Sequence, residues 1–155
     1  QLVDGGVFAV NESHQIGNFA DACNECGNCD VFCPEDGGPY IEKPRFFGSL
    51  ESWKKWNSLS GFYLEQSKSS ALLYGRFGEK EFHLTEVNGR IRFHQGRLVV
   101  HLESNSNNVL DVQGIETSNE VIDMRYYHVM KTLLYGMMNT SRVHFVNLDL
   151  LTNQK

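Results

Sequence analysis

No apolar run in this chain is long enough to span a bilayer. There is no excess of positive charge either: 14 Lys and Arg stand against 19 Asp and Glu, for a formal net charge of -5. That balance argues against nucleic acid and against an anionic membrane surface as partners. The sequence has no phosphate loop, no dinucleotide fingerprint and no Ser–His–acid arrangement, so nothing marks it as an independent enzyme. It has no internal repeat and no low-complexity tract. The opening Gln1-Leu2-Val3-Asp4 offers neither an initiator methionine nor the basic and apolar regions of a signal peptide, and reads as a piece of a longer chain. Cysteine is absent everywhere except between positions 23 and 33.

In that short stretch there are four: Cys23, Cys26, Cys29 and Cys33, followed by Pro34. Four clustered thiols with no partners elsewhere make a poor disulfide framework and fit a reducing, cytoplasmic setting. The spacing C-x2-C-x2-C-x3-C-P is that of bacterial ferredoxin-type ligation, in which thiolates hold the irons of a [4Fe–4S] cluster. Three cysteines two apart wrap three corners of one cube. The fourth in such a run ligates the other cluster of a two-cluster ferredoxin, and Pro34 turns the chain away behind it. No second run exists in this sequence. Either Cys33 completes a single cluster, or the missing ligands lie in an absent part of the parent; the second is preferred. Structural zinc is the plainer alternative, but it commonly uses two Cys pairs separated by a longer loop. An incomplete site in an isolated piece is open to zinc or to no metal at all.

With 155 residues the chain has material for one domain, or one compact domain with a loop-rich appendage. Residues 1–58 are rich in Gly, Asn, Asp and Pro and show no sustained period; they read as the cluster-binding segment, ordered by a metal centre or a neighbour. Asp36-Gly37-Gly38-Pro39 and Glu42-Lys43-Pro44 are turn material. Phe32, Tyr40, Phe46, Phe47, Trp53 and Trp56 are its apolar contacts, read as packing rather than as electron relays.

Residues 59–155 read as an antiparallel meander plus a helix. Phe82-His83-Leu84-Thr85-Glu86-Val87 alternates, Asn88-Gly89 supplies a type I′ hairpin turn, and Arg90-Ile91-Arg92-Phe93-His94 alternates again. Gln95-Gly96 leads into Arg97-Leu98-Val99-Val100-His101-Leu102. Strands are also expected at Phe62-Tyr63-Leu64, Ala71-Leu72-Leu73-Tyr74 and Val109-Leu110-Asp111-Val112, which gives five or six in all. Residues 118–138 switch to the helical period, with Ile122, Tyr126, Val129, Met130, Leu133, Leu134 and Met137 along one stripe. Thr117 and Glu120 have the spacing of a capping box. Val143-His144-Phe145-Val146 reads as a last short strand, with Gln154 and Lys155 frayed. The fold class is therefore α+β, a loop-rich ferredoxin-like segment followed by a meander that one C-terminal helix covers. An unpaired meander edge leaves a homo-oligomer open.

His83, His94 and His101 fall on strands and share one face in this register. A metal patch is the sharper reading, and three solvated or half-buried strand histidines is the preferred one. His14, His128 and His144 show no ligand spacing. Asp21, Glu25 and Asp30 keep the edge of the cysteine site solvated, while Glu35 and Asp36 lie in a turn with no nucleophile nearby.

The block from Ala22 to Pro34, continuing through Gly38, Pro39 and Tyr40 to Lys43, Phe46 and Phe47, resembles the C-terminal region of a family of large bacterial iron–sulfur flavoproteins. That family carries the label of selenate reductase subunits and is related to the glutamate synthase small subunit. The match in the cysteine block covers about 25 residues and is specific beyond the generic ferredoxin pattern; the meander and helix resemble the family's tail more loosely. The resemblance implies an upstream portion that binds FAD and NADPH and an earlier cysteine run that completes a two-cluster module. Cys23, Cys26 and Cys29 would then hold one cluster and Cys33 the other. The chain departs from the pattern by lacking the first run.

Two functions are carried forward. One is an electron-transfer module that passes single electrons between a flavin-containing domain or subunit and a redox partner, without turnover of its own. The other is a structural or interaction domain whose cysteines hold zinc or nothing.

Overall fold

The computed structural model describes residues 1–3, 9, 11, 16–32, 37–67, 69–138 and 144–146. In chain order the elements are β1 (Leu2–Val3), β2 (Asn18–Phe19), a 3-10 turn (Ala20–Ala22), α1 (Asn28–Phe32), α2 (Pro39–Glu42), β3 (Arg45–Phe47) and α3 (Leu50–Lys55). The meander follows as β4 (Gly61–Gln66), β5 (Ser70–Phe77), β6 (Lys80–Val87), β7 (Arg90–Gln95), β8 (Leu98–Glu103) and β9 (Val109–Gln113), and then come β10 (Ile122–Asp123) and α4 (Met124–Met138). The fold is α+β, as the pattern implied. All six strands expected from alternation are present and pair antiparallel in sequence order, β4 through β9.

Turn chemistry sets the register. Asn88 and Gly89 both take positive φ, 50° and 77°, as a type I′ turn requires. Each strand then sends alternate residues inward: Leu73, Leu84, Phe93, Val100 and Leu102 are at most 1% exposed. The helix α4 lies over this inner face and buries Met124, Tyr127, Met130, Leu134 and Met137, spaced three and four apart. Each such side chain contributes about 1.5–3 kcal/mol by leaving water. The crossing is close at Gly75, where a Cβ would stand 3.0 Å from the Met130 thioether. The Tyr127 hydroxyl donates to Asn107 Oδ1 at 2.7 Å, and the Lys131 ammonium donates to the Ser104 carbonyl and Asn107 Oδ1. Burial raises the Tyr127 phenol well above the ordinary tyrosine range.

Three features differ from the sequence reading. The helix begins at Met124 rather than at 118, and Thr117 and Glu120 form no capping box. Glu120 instead accepts the Glu116 N–H at 2.9 Å and pairs with Arg97, while Ile122 is drawn into parallel pairing with Leu2. The cap is Asp123, whose Oδ1 accepts the Arg125 N–H at 3.1 Å. The buried stripe accordingly centres on Tyr127, with Tyr126, Val129 and Leu133 only partly buried. Residues 144–146 form a turn rather than a strand, with Phe145 stacked on Phe19 at 4.9 Å; Val143, Gln154 and Lys155 lie outside the described residues. Lastly, β2 and β3 extend the β4 edge in parallel, so part of the first 58 residues joins the sheet.

Asp123→Ala is expected to lower stability by about 1 kcal/mol, the usual cost of losing an N-cap, in a denaturant titration. Hydrogen bonding from Arg125 holds the Asp123 carboxyl below its ordinary value. Its contribution is therefore present above the unfolded-chain pKa and fades as pH falls through the lower folded value.

Candidate functional site

The cysteine run begins where the 3-10 turn ends, and the Cys23 N–H donates to the Ala20 carbonyl at 3.2 Å. Between Cys23 and Cys29 the backbone curls through two left-handed residues, Glu25 at φ 53° and Gly27 at φ 77°. The Cys26 N–H donates to Asn24 Oδ1 at 3.3 Å, and the Asp30 N–H to the Gly27 carbonyl at 2.9 Å. Gly27 is required by its conformation rather than by crowding, since a Cβ there would meet only the Tyr40 hydroxyl at 4.0 Å. Cys29 lies in the five-residue helix α1.

Two side chains fasten this loop, one to β3 and the other to the turn before α3 and to α3 itself. The Arg45 guanidinium donates to Glu25 Oε1 at 3.1 Å and to the Tyr40 carbonyl at 2.8 Å. Asp21 Oδ2 accepts the Gly48 N–H at 2.6 Å and the Ser52 hydroxyl at 3.3 Å. Glu25 and Asp21, read as solvating acids, are thus also anchors. Gly38 (φ 63°) brings α2 onto α1, and a Cβ there would stand 3.0 Å from the Asp30 Cβ.

The thiols of Cys23, Cys26 and Cys29 are free, the first half-buried and the others exposed. Cys33, with Pro34, Glu35, Asp36 and His14, lies outside the described residues. Among the described residues no three His, Cys, Asp or Glu side chains are gathered into a metal-holding group. The donor chemistry of the run suits an iron–sulfur cluster, but the described thiols are not preassembled. In this class of site, ligand binding and local folding go together.

A groove of about 630 Å³ opens between the cysteine loop and α3, with Cys23, Glu25, Arg45, Lys55 and Trp56 among its lining. Val31, Phe32 and Ile41 project from α1 and α2, at 79%, 86% and 61% exposure. Phe46, Phe47 and Trp53 pack as expected, whereas Phe32 and the half-exposed Trp56 do not.

Sequence reasoning missed Arg76, the residue that fixes α3 as a wall of this groove. It is 2% exposed, its guanidinium lies 3.9 Å from the Trp53 ring centroid, and it donates to the carbonyls of Trp53, Trp56 and Leu59 at 3.1–3.2 Å. Its Nε reaches Glu81 Oε1 at 2.8 Å. No spacing announces it, because its main-chain acceptors lie in α3 and the turn after it, 17–23 residues upstream. The three strand histidines do share the outer sheet face, half-buried, without converging as a triad.

No family model matches the chain, and no solved structure does. Among curated proteins it is similar to "Putative oxidoreductase YgfK" of Escherichia coli strain K12, with 41% identity over 46 residues. The same holds for the protein of that name in Escherichia coli O157:H7. The similarity covers 30% of this chain and 4% of each relative's length. No helix among the described residues is long and apolar enough to cross a membrane.

Proposed function

We propose that this chain is an iron–sulfur electron-transfer module of a larger flavin- and NADPH-dependent oxidoreductase working in a reducing compartment. The observation that carries this reading is the cysteine run itself, Cys23, Cys26, Cys29 and Cys33 before Pro34. Similarity over 46 residues to a protein named as an oxidoreductase supports it. In this reading Cys23, Cys26 and Cys29 hold three irons of one [4Fe–4S] cluster, and Cys33 belongs to a second whose other ligands come from elsewhere in the parent. The cluster, when bound, supplies one-electron chemistry. The chain's part is to hold the loop: left-handed Glu25 and Gly27 curve it, while Arg45 and Asp21 tie it to β3 and to the turn before α3. The groove beside Cys23 leaves one side of the run open to a redox partner. Turnover belongs to the parent.

The exposed Val31, Phe32 and Ile41 favour a second reading, an interaction domain whose cysteine site is zinc-bound or empty. Anaerobic reconstitution with ferrous iron and sulfide separates the two. The first reading expects a broad visible absorption that dithionite bleaches and that Cys26→Ser largely abolishes. A colourless product even when the unsubstituted chain is reconstituted together with the parent's remaining cysteines would sink it.

A further inference from the structure

The outer face of the meander carries a feature the cysteine site does not use. His83 on β6 and His94 on β7 are direct cross-strand partners. Side chains in such a pair leave Cβ atoms about 4.5–5.5 Å apart, and here the ring centroids are 6.5 Å apart. The face is held by the same register that buries Leu84 and Phe93 on the other side, so the two imidazoles cannot slip apart without disrupting the core. Tyr74 packs edge-on against His83 with centroids 4.8 Å apart and limits its rotamers.

We propose that His83 and His94 form a two-imidazole site for a borderline divalent transition-metal ion such as zinc, on the sheet face and separate from the cysteine run. Imidazole nitrogen is the ligand that zinc, nickel and copper share. Two such nitrogens about 2.0–2.1 Å from one zinc ion bring ring centroids to about 5–6 Å. The present separation lies just outside that range, and the site forms when the two side chains rotate towards each other. Both imidazoles are half-buried, which favours the neutral, metal-binding form; burial is the main cause of the lowered pKa of each. The charges that act on them are Glu81 on His83, and His83, Arg92 and His101 on His94. His101 sits one strand further, opposite Arg92, and is not a ligand in this assignment. Water fills the remaining coordination positions, so the site is open and exchangeable rather than structural.

The test is zinc titration of the full chain with its cysteines alkylated, read residue by residue from imidazole nitrogen resonances in 15N-histidine-labelled protein. The expected result is that His83 and His94 shift together with one midpoint while His128 stays put. Calorimetry should then show at least about ten-fold weaker binding in His83→Gln and in His94→Gln, the loss of one of two ligands, and less than about three-fold change in His101→Gln. Because His83 and His94 are half-exposed, both variants should keep the wild-type far-ultraviolet spectrum. Separate midpoints for His83 and His94, no shift at either, or undiminished zinc affinity in the double variant would each overturn the proposal.

Discussion

Phe93→Ala lowers the free energy of unfolding by about 3–5 kcal/mol, the range for emptying a fully buried aromatic site. Phe93 has no exposed surface. It stacks on Phe82 at 5.6 Å and meets Tyr127 of α4 edge-on at 5.8 Å. Its removal therefore opens a void at the seam between sheet and helix, where neither layer closes easily because Gly75 and Met130 already touch. Domains of this size are commonly stable by only about 5–15 kcal/mol, so the variant should unfold at a markedly lower urea concentration. A shift in midpoint of under about 1 kcal/mol equivalent would show that the seam repacks freely. Phe93→Leu, which keeps most of the volume, should lose far less.

Arg76→Ala costs about 3 kcal/mol or more by a different route. It leaves the buried Trp53 carbonyl and the part-buried Leu59 carbonyl without their donor, while the Trp56 carbonyl keeps the Leu59 N–H, and each unmet group costs about 1–3 kcal/mol. The Glu81 pair adds little, since that carboxylate is half-exposed. Arg76→Lys rescues only part of the loss, because an ammonium can serve acceptors that converge on one nitrogen but gives up the planar stack on the Trp53 ring and the separate Nε contact to Glu81. The two variants differ in where the damage falls. Hydrogen exchange should speed up first in residues 50–59 for Arg76→Ala, and across the whole sheet for Phe93→Ala. Equal exchange throughout in Arg76→Ala would contradict its assignment as the bolt of α3.

What was legible in the sequence follows from the range of the physics involved. Strands β4 to β9 announce themselves because burial on one face imposes period two, and Asn88-Gly89 because positive φ at two successive positions narrows the choice of residue. The start of α4 was misplaced by six residues because Thr117 and Glu120 match a local rule that distant partners overrule: Arg97 takes the Glu120 carboxylate and Leu2 takes Ile122. Two- and three-residue strands such as β2 and β3 are too short to show a period. The cysteine run is legible by spacing alone, since thiolate ligation demands it. Its anchors Arg45 and Asp21 are not, because each reaches its distant partners through individual hydrogen bonds, Arg45 to Glu25 across 20 positions and Asp21 to Gly48 and Ser52 across 27 and 31.

Iron and acid-labile sulfide content of the chain purified without oxygen tests the central claim most directly. The electron-transfer reading predicts iron and sulfide in comparable amounts, approaching about four of each per chain at full occupancy. Zinc or no metal in this chain alone would mark it as half of a split site; stoichiometric zinc, or no metal even after anaerobic reconstitution together with the parent's remaining cysteines, would contradict the claim and leave the cysteines a structural or vacant site.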